Sequence, residues 1–318
     1  MTLKVNLPKR AEKITVVTDM MREMINRTLA VHALSALVLW YGQARIGKTT
    51  TALYMVEEIN KLFDENNPET FRAVHYEVGR IRSGSGNEWK RAIRGFYQAT
   101  LNSQMDEGFY TRNAPEVIAR QIVHGLKRKR IELVFVDEAG TLSLEAIRGI
   151  CLIRDVAANE GWTLTIVFIG MDDLPDKLIK IPRIHLRLLD TCHFTQYEVD
   201  DTWDLLQKFH PYFAALNQKI KEHCDQVETI HEICGGLPGL IVPFVHKLSY
   251  RLQSLKGDVD VFFLRAVHEL SNESLMNSLK ESRREYRPYT VNRGASGDDG
   301  RTAPESNKHP SKHRKPKK

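Results

Sequence analysis

Residues 36–50, ALVLWYGQARIGKTT, decide the fold: a short apolar run ends in a glycine and passes, through a glycine-bounded loop, into the start of a helical pattern. Positions Gly42, Gln43, Ala44, Arg45, Ile46, Gly47, Lys48 and Thr49 match G-x-x-x-x-G-K-[ST], between a strand and a helix as that pattern requires. The glycines let the backbone turn so that successive N–H groups face a polyphosphate. Lys48 is placed to reach the β and γ oxygens, the Thr49 hydroxyl can ligate Mg2+, and with Thr50 these residues form the candidate ATP-binding loop.

Working outward, β-rich runs alternate with stretches of 3.6-residue period, which predicts a parallel sheet flanked by helices. The strands are expected at 36–42, 72–78, 131–139, 162–170 and 192–197, with helices near 16–34, 48–63, 87–101, 114–129, 143–159 and 174–181. After Tyr197 the strand signals stop and four helical stretches follow, near 199–216, 219–234, 238–255 and 259–279. The expected organisation is an N-terminal extension over 1–14, an α/β nucleotide-binding domain over 15–197, a small helical domain over 198–280 and a disordered basic tail over 281–318.

The run IELVFVDEAGTL, 131–142, supplies the second half of a nucleotide site. Four apolar residues in a row suit a strand buried on both faces, and its C-terminal end opens on the same sheet edge as the phosphate loop. Asp137 can therefore hold the Mg2+ shell while Glu138 orients or deprotonates a water in line with the γ-phosphorus.

Composition bounds the rest. With 42% hydrophobic and 27% charged residues the chain is an ordinary globular protein of 318 residues. It shows no apolar run long enough to span a bilayer and no signal peptide, so a cytoplasmic location and no membrane partner are expected. Cys151, Cys192, Cys224 and Cys234 form no paired framework, as expected of reduced thiols. The net charge of +6 is local: residues 281–318 hold 11 Lys and Arg against 5 Asp and Glu, leaving 35 of each sign in the preceding 280. That tail is either a solvated end or an electrostatic, sequence-independent contact for nucleic acid.

An acidic pair in which Glu follows the metal-binding Asp marks ATP hydrolases of the AAA+ type. The set YGQARIGKTT, LVFVDEAGTLS, TIVFIGMDDL and IPRIHLRLLDTCHFTQY resembles the AAA+ ATPases that regulate DNA transposition, the TniB and TnsC family, with phage MuB more distant, over about residues 15–270. Helicase loaders related to DnaC and IstB share much of the plan. The resemblance implies a five-stranded parallel sheet of order 5-1-4-3-2, a helical lid, and nucleotide bound at the seam between subunits of a ring or helical filament. It implies that an arginine of PRIHLR, Arg183 first and Arg187 second, reaches the neighbouring protomer's γ-phosphate. Double-stranded DNA bound without sequence preference, a transposase and target-selection proteins are the implied partners.

In such relatives the region after the second strand tracks the DNA backbone. In GRIRSGSGNEWKRAIRGF, 79–96, this marks Arg80, Arg82, Lys90, Arg91 and Arg94 as DNA-contact candidates, a solvated cationic face being the alternative. Trp89, Ile93, Phe96 and Tyr97 are expected in the core. KRKR, 127–130, reads as a second basic patch or as cations favoured at a helix C-terminus.

Two departures from the family pattern predict slow or partner-stimulated hydrolysis. Met171, with Asp172 and Asp173, stands where a small polar sensor residue is usual, and a thioether is a weak acceptor. The lid segment GGLPGLIVPF places Pro238 and Gly239 at the nucleotide edge but carries no sensor arginine. The same Gly-Leu-Pro turn somewhat resembles STAND-type signalling switches, a reading of a different class.

Overall fold

The computed structural model describes residues 15–79, 88–102, 113–209, 211–214 and 216–254. Its centre is β1 (Leu37–Gly42), flanked by β4 (Thr165–Gly170) and β5 (Leu188–Phe194), with β3 (Ile131–Asp137) and β2 (Arg72–Glu77) beyond β4. All pairings are parallel, in the order β2-β3-β4-β1-β5. This is the expected order, 5-1-4-3-2, read from the other edge. The three inner strands are almost wholly buried, which is why LVLWYG, LVFV and TIVFIG read as unbroken apolar runs, while the outer strands show partial exposure.

The helices before the last strand are α1 (Asp19–His32), α2 (Lys48–Lys61), α3 (Glu88–Leu101), α4 (Pro115–Lys129), α5 (Leu144–Asn159), α6 (Leu174–Ile179) and α7 (Pro182–His185). After β5 come α8 (Val199–Phe209), α9 (Pro211–Ala214), α10 (Lys221–Cys234) and α11 (Pro238–Ser254). Trp40 is fully buried between Phe135 and Phe194, at ring-centroid separations of 5.3 and 5.4 Å, and its Nε1 donates to Thr28 Oγ1 of α1 at 3.1 Å. Ile93 and Phe96 of α3 are buried, and Trp89 and Tyr97 pack against the same core.

The last strand starts four residues earlier than the sequence pattern predicts, at 188 rather than 192, and ends at 194 rather than 197. Asp190 disguises it, since Asp disfavours strands. Its carboxylate is held by Arg27 of α1, with Nε–Oδ2 3.0 Å and Nη2–Oδ1 2.5 Å, and Arg27 also donates to the carbonyl of Thr191 at 3.0 Å. The pair lets a charged residue sit in an edge strand. The expected helix over 174–181 ends at 179, and Pro182 starts a separate turn of helix.

KRKR is largely a structural staple. Lys127 pairs with Glu160 at 2.9 Å, Lys129 donates to the carbonyl of Leu101, and Arg130, in the left-handed region at φ 56°, donates to the carbonyl of Asn67 at 2.6 Å. Among the described residues no helix is long and apolar enough to cross a membrane. The basic tail, the helix expected over 259–279, Arg80 and Arg82 lie outside the described residues.

Candidate nucleotide site

The strand order brings the C-terminal ends of β1, β3 and β4 to one edge, and ligands of open α/β sheets bind at such an edge where the chain reverses direction across the sheet. Gly42, Asp137 and Gly170 close those strands. A cavity of about 590 Å3 opens there, lined by residues 44–50, Asp137, Glu138, Gly170 and Met171 on one side and by Tyr197, Leu205, Pro238 and Val242 on the other. That size suits a small-molecule cofactor.

Gly47 precedes α2 at φ 105°, where a side chain would be strained, and the first N–H groups of α2 are left to face the cavity. Gly42 is closed against the last strand: a Cβ there would lie 2.5 Å from the carbonyl oxygen of Phe194. Lys48 is only 8% exposed, and its ammonium donates to the carbonyls of Gly42 at 2.8 Å and Gln43 at 2.7 Å. Burial pulls its pKa down, against the opposing pull of Asp137, Asp172 and Glu138. The lysine is thus a desolvated cation parked on loop carbonyls, ready to exchange them for an anion.

Asp137, 3% exposed, accepts from Thr49 Oγ1 at 2.7 Å and lies 3.0 Å from His75 Nε2 through the same oxygen, while its other oxygen accepts the N–H of Glu138 at 2.9 Å. Burial raises its pKa, but the bonds from His75, Thr49 and Glu138 outweigh it and hold the carboxyl below its ordinary value. Thr49 and Asp137 therefore form a preassembled oxygen pair that fits a Mg2+ ion completed by phosphate oxygens and water. Glu138 adopts the left-handed region, φ 57° and ψ 33°, which turns the chain sharply after the strand at the cavity wall.

Residues after β5 bond to the loop and to one another. Gly239 N–H donates to the carbonyl of Arg45 at 3.0 Å, Gln196 Nε2 donates to Gln43 Oε1 at 3.1 Å, and Tyr197 N–H donates to the carbonyl of Gly236 at 2.9 Å. Pro238 stands over the loop, its Cγ 3.9 Å from where a Cβ on Gly47 would be. Ala44, Ile46 and Thr50 line the cavity too; Ile46 is buried and Thr50 exposed.

The structure does not bring Arg183 and Arg187 to this cavity. They flank another, of about 650 Å3, with Arg148, Cys151, Leu152 and Asp155 on α5. Arg183 is exposed, whereas Arg187 is ion-paired to Asp155, which also binds Arg154 at 2.9 Å. Lys90, Arg91 and Arg94 lie on α3, with Arg91 and Arg94 exposed and Lys90 half-buried beside the Trp89 ring, 5.8 Å from its centroid. Met171, expected at a sensor position, lies on the cavity wall at 37% exposure.

Sequence reasoning misses His75 and Tyr197. His75 pairs in register with Phe135, two residues before Asp137, so both side chains share one face; this becomes readable only once β2 and β3 are known to be neighbours. Tyr197, buried, donates to Thr18 Oγ1 at 3.2 Å and joins the N-cap of α1 to the lid turn. No local pattern signals that pairing.

A family model described as an AAA domain matches residues 31–178. Among solved structures the fold is similar to the ORC2 protein of Aeropyrum pernix in its ADPNP-ADP complexes, at 17% identity and TM-score 0.56, covering 83% of this chain and 69% of that one. It is similar to Drosophila ORC bound to DNA, at 14% identity and TM-score 0.53 over 88% of this chain and 72% of that one. A third is Cdc6p from Pyrobaculum aerophilum, at 16% identity and TM-score 0.51 over 79% and 65% of the two chains. None of the curated proteins matches the sequence. At such identities the structural likeness speaks for fold. The AAA match over residues 31–178 and this likeness agree on the same α/β fold.

Proposed function

We propose, with the AAA+ fold as premise, that this chain is an ATP-dependent, DNA-associated ATPase that regulates DNA transposition in the manner of the TniB and TnsC family. It assembles on duplex DNA with ATP, presents a surface to a transposase, and disassembles on hydrolysis. The observation that carries the hydrolase reading is the geometry around Asp137: its carboxylate joins Thr49 of the phosphate loop and sits beside Glu138 at the mouth of one cavity. The transposition reading rests further on the motif resemblance over residues 15–270, and DNA association has support in fold neighbours solved with DNA.

Residues 15–197 form the nucleotide-binding domain in this reading and residues 198–280 the lid. Lys48 leaves the carbonyls of Gly42 and Gln43 to bind β and γ oxygens, and the N–H groups at the start of α2 cradle the same phosphates. A bound Mg2+ would neutralise charge on those oxygens. Thr49 and Asp137 hold it, and Glu138 takes a proton from the attacking water. The apolar wall of Leu205 and Val242 excludes solvent on the lid side.

Arg183 and Arg187, away from their own subunit's loop, act on the nucleotide of a neighbour, and Arg183 is the readier of the two because Arg187 is engaged with Asp155. Lys90, Arg91 and Arg94 contact DNA phosphates from α3, with Arg80 and Arg82 preceding them. Glu138→Gln should bind ATP, hydrolyse none, and trap oligomers on duplex DNA. A Glu138→Gln protein that stays monomeric with ATP, Mg2+ and duplex DNA overturns the assembly reading. A helicase-loader role is the second reading, favoured by the likeness to ORC and Cdc6 folds, and a stronger affinity for single-stranded than for duplex DNA would select it.

A further inference from the structure

Glu138 is a non-glycine residue held in the left-handed backbone region, a conformation that costs free energy and persists only where the surroundings impose it. Residues 137–141 supply three of the restraints. Glu138 N–H is bound by Asp137 Oδ1 at 2.9 Å, and its carbonyl accepts both the N–H of Thr141 at 3.0 Å and the Thr141 hydroxyl at 2.8 Å. These tie the turn to itself and to β3, and Ala139 and Leu142 anchor it in the core, leaving the carbonyl of Gly140 between them.

A restraint from another element comes from Lys177 on α6, whose ammonium donates to the carbonyl of Gly140 at 2.6 Å. The helix α6 follows β4 after three residues, and the end of β4 forms the cavity wall with Gly170 and Met171. Lys177 therefore cross-links the turn that follows β3 to the helix that follows β4. Partial burial lowers its pKa and the nearby Lys180 adds to that, while Asp173 and Glu88 favour the charged form. A charged donor to a carbonyl is a strong hydrogen bond, whereas the sensor position offers only the thioether of Met171.

We propose that Lys177 is a positioning residue for Glu138, fixing the 138–141 turn against β4 and taking over the ordering role that Met171 cannot fill. The inference rests on the hydrolase reading of the site. It predicts that loss of the ammonium slows the chemical step and leaves nucleotide binding intact, since Lys177 touches neither the phosphate loop nor the apolar wall of the cavity.

The test uses the full chain with ATP, Mg2+ and duplex DNA, comparing wild type, Lys177→Met, which keeps the apolar stem, and Lys177→Arg, which restores a charged donor. Lys177→Met should lower single-turnover hydrolysis about tenfold or more, with affinity for a fluorescent ATP mimic unchanged to within about twofold. Amide hydrogen exchange at Thr141 and Leu142 should quicken, and Lys177→Arg should bring both readouts back toward wild type. Unchanged hydrolysis and exchange in Lys177→Met overturn the inference alone. So does a parallel loss of nucleotide affinity, or failure of the arginine variant to rescue. A wild type that hydrolyses no ATP overturns the hydrolase reading and this inference together.

Discussion

Replacing Gly239 by alanine tests whether the phosphate loop and the lid helix are one mechanical unit. Gly239 occupies the second position of α11, after Pro238. In an ordinary helix Gly→Ala stabilises by about 0.5–1 kcal/mol. Here the new Cβ would lie 2.8 Å from the Cβ of Arg45 and 2.8 Å from its carbonyl oxygen, which also accepts the Gly239 N–H at 3.0 Å. Because the obstruction is backbone and Cβ, no side-chain rotation relieves it, and loop and helix must part. Overpacking costs about 1–3 kcal/mol, and the strained hydrogen bond adds about 0.5–1.5 kcal/mol if it breaks. The clash outweighs the propensity gain, for a net loss of about 0.5–4 kcal/mol. Urea unfolding at pH 7 should show a lower midpoint with unchanged slope, and titration with a fluorescent ATP analogue should show affinity weakened about tenfold, because the loop carbonyl that moves belongs to the cradle. A variant as stable as wild type or more so, binding nucleotide equally well, would refute the coupling.

Two further outcomes follow from other parts of the molecule. Burial raises the Asp190 pKa, but Arg27 and the N–H of Thr191 outweigh it and hold the carboxyl below its ordinary value. Its stabilisation is therefore present above about pH 4, the unfolded value, and is lost as pH falls through the lower folded pKa. Asp190→Asn should be less stable than wild type by about 1–2 kcal/mol at pH 7, since Arg27 is part-exposed. In urea titrations the gap should shrink at pH 3; an equal gap at both pH values would show that the charge is not what matters. Exchanging Lys90, Arg91 and Arg94 together for alanine should weaken duplex binding equally across sequences and reduce the slope of log K against log salt by about 2.7, at about 0.9 per phosphate contact. An unchanged slope would remove α3 from the DNA surface.

The fold is legible because its inner strands are buried on both faces and so leave unbroken apolar runs in the sequence, and because the phosphate loop can only join a strand to a helix. The strand order enters through resemblance, since nothing local in LVLWYG says that β4 and β5 are its neighbours. Edge strands are harder. The beginning of β5 escapes because Asp190 contradicts a strand unless Arg27, far away in sequence, is already in place. At the candidate site, residues on the loop and at the end of β3 announce themselves by spacing. His75 and Lys177 do not, as each matters only through a contact that exists after the sheet has assembled. KRKR misleads in the other direction: a conspicuous charge run in which Lys127, Lys129 and Arg130 are engaged with neighbouring carbonyls and Glu160.

Sedimentation velocity of the full chain with Mg2+ and a non-hydrolysable ATP mimic, with ADP and without nucleotide, alongside Arg183→Ala, addresses the central claim most directly. Wild type should form larger species with the triphosphate mimic only, and Arg183→Ala should bind the mimic yet fail to assemble. One sedimentation coefficient for wild type under all three conditions would contradict the account.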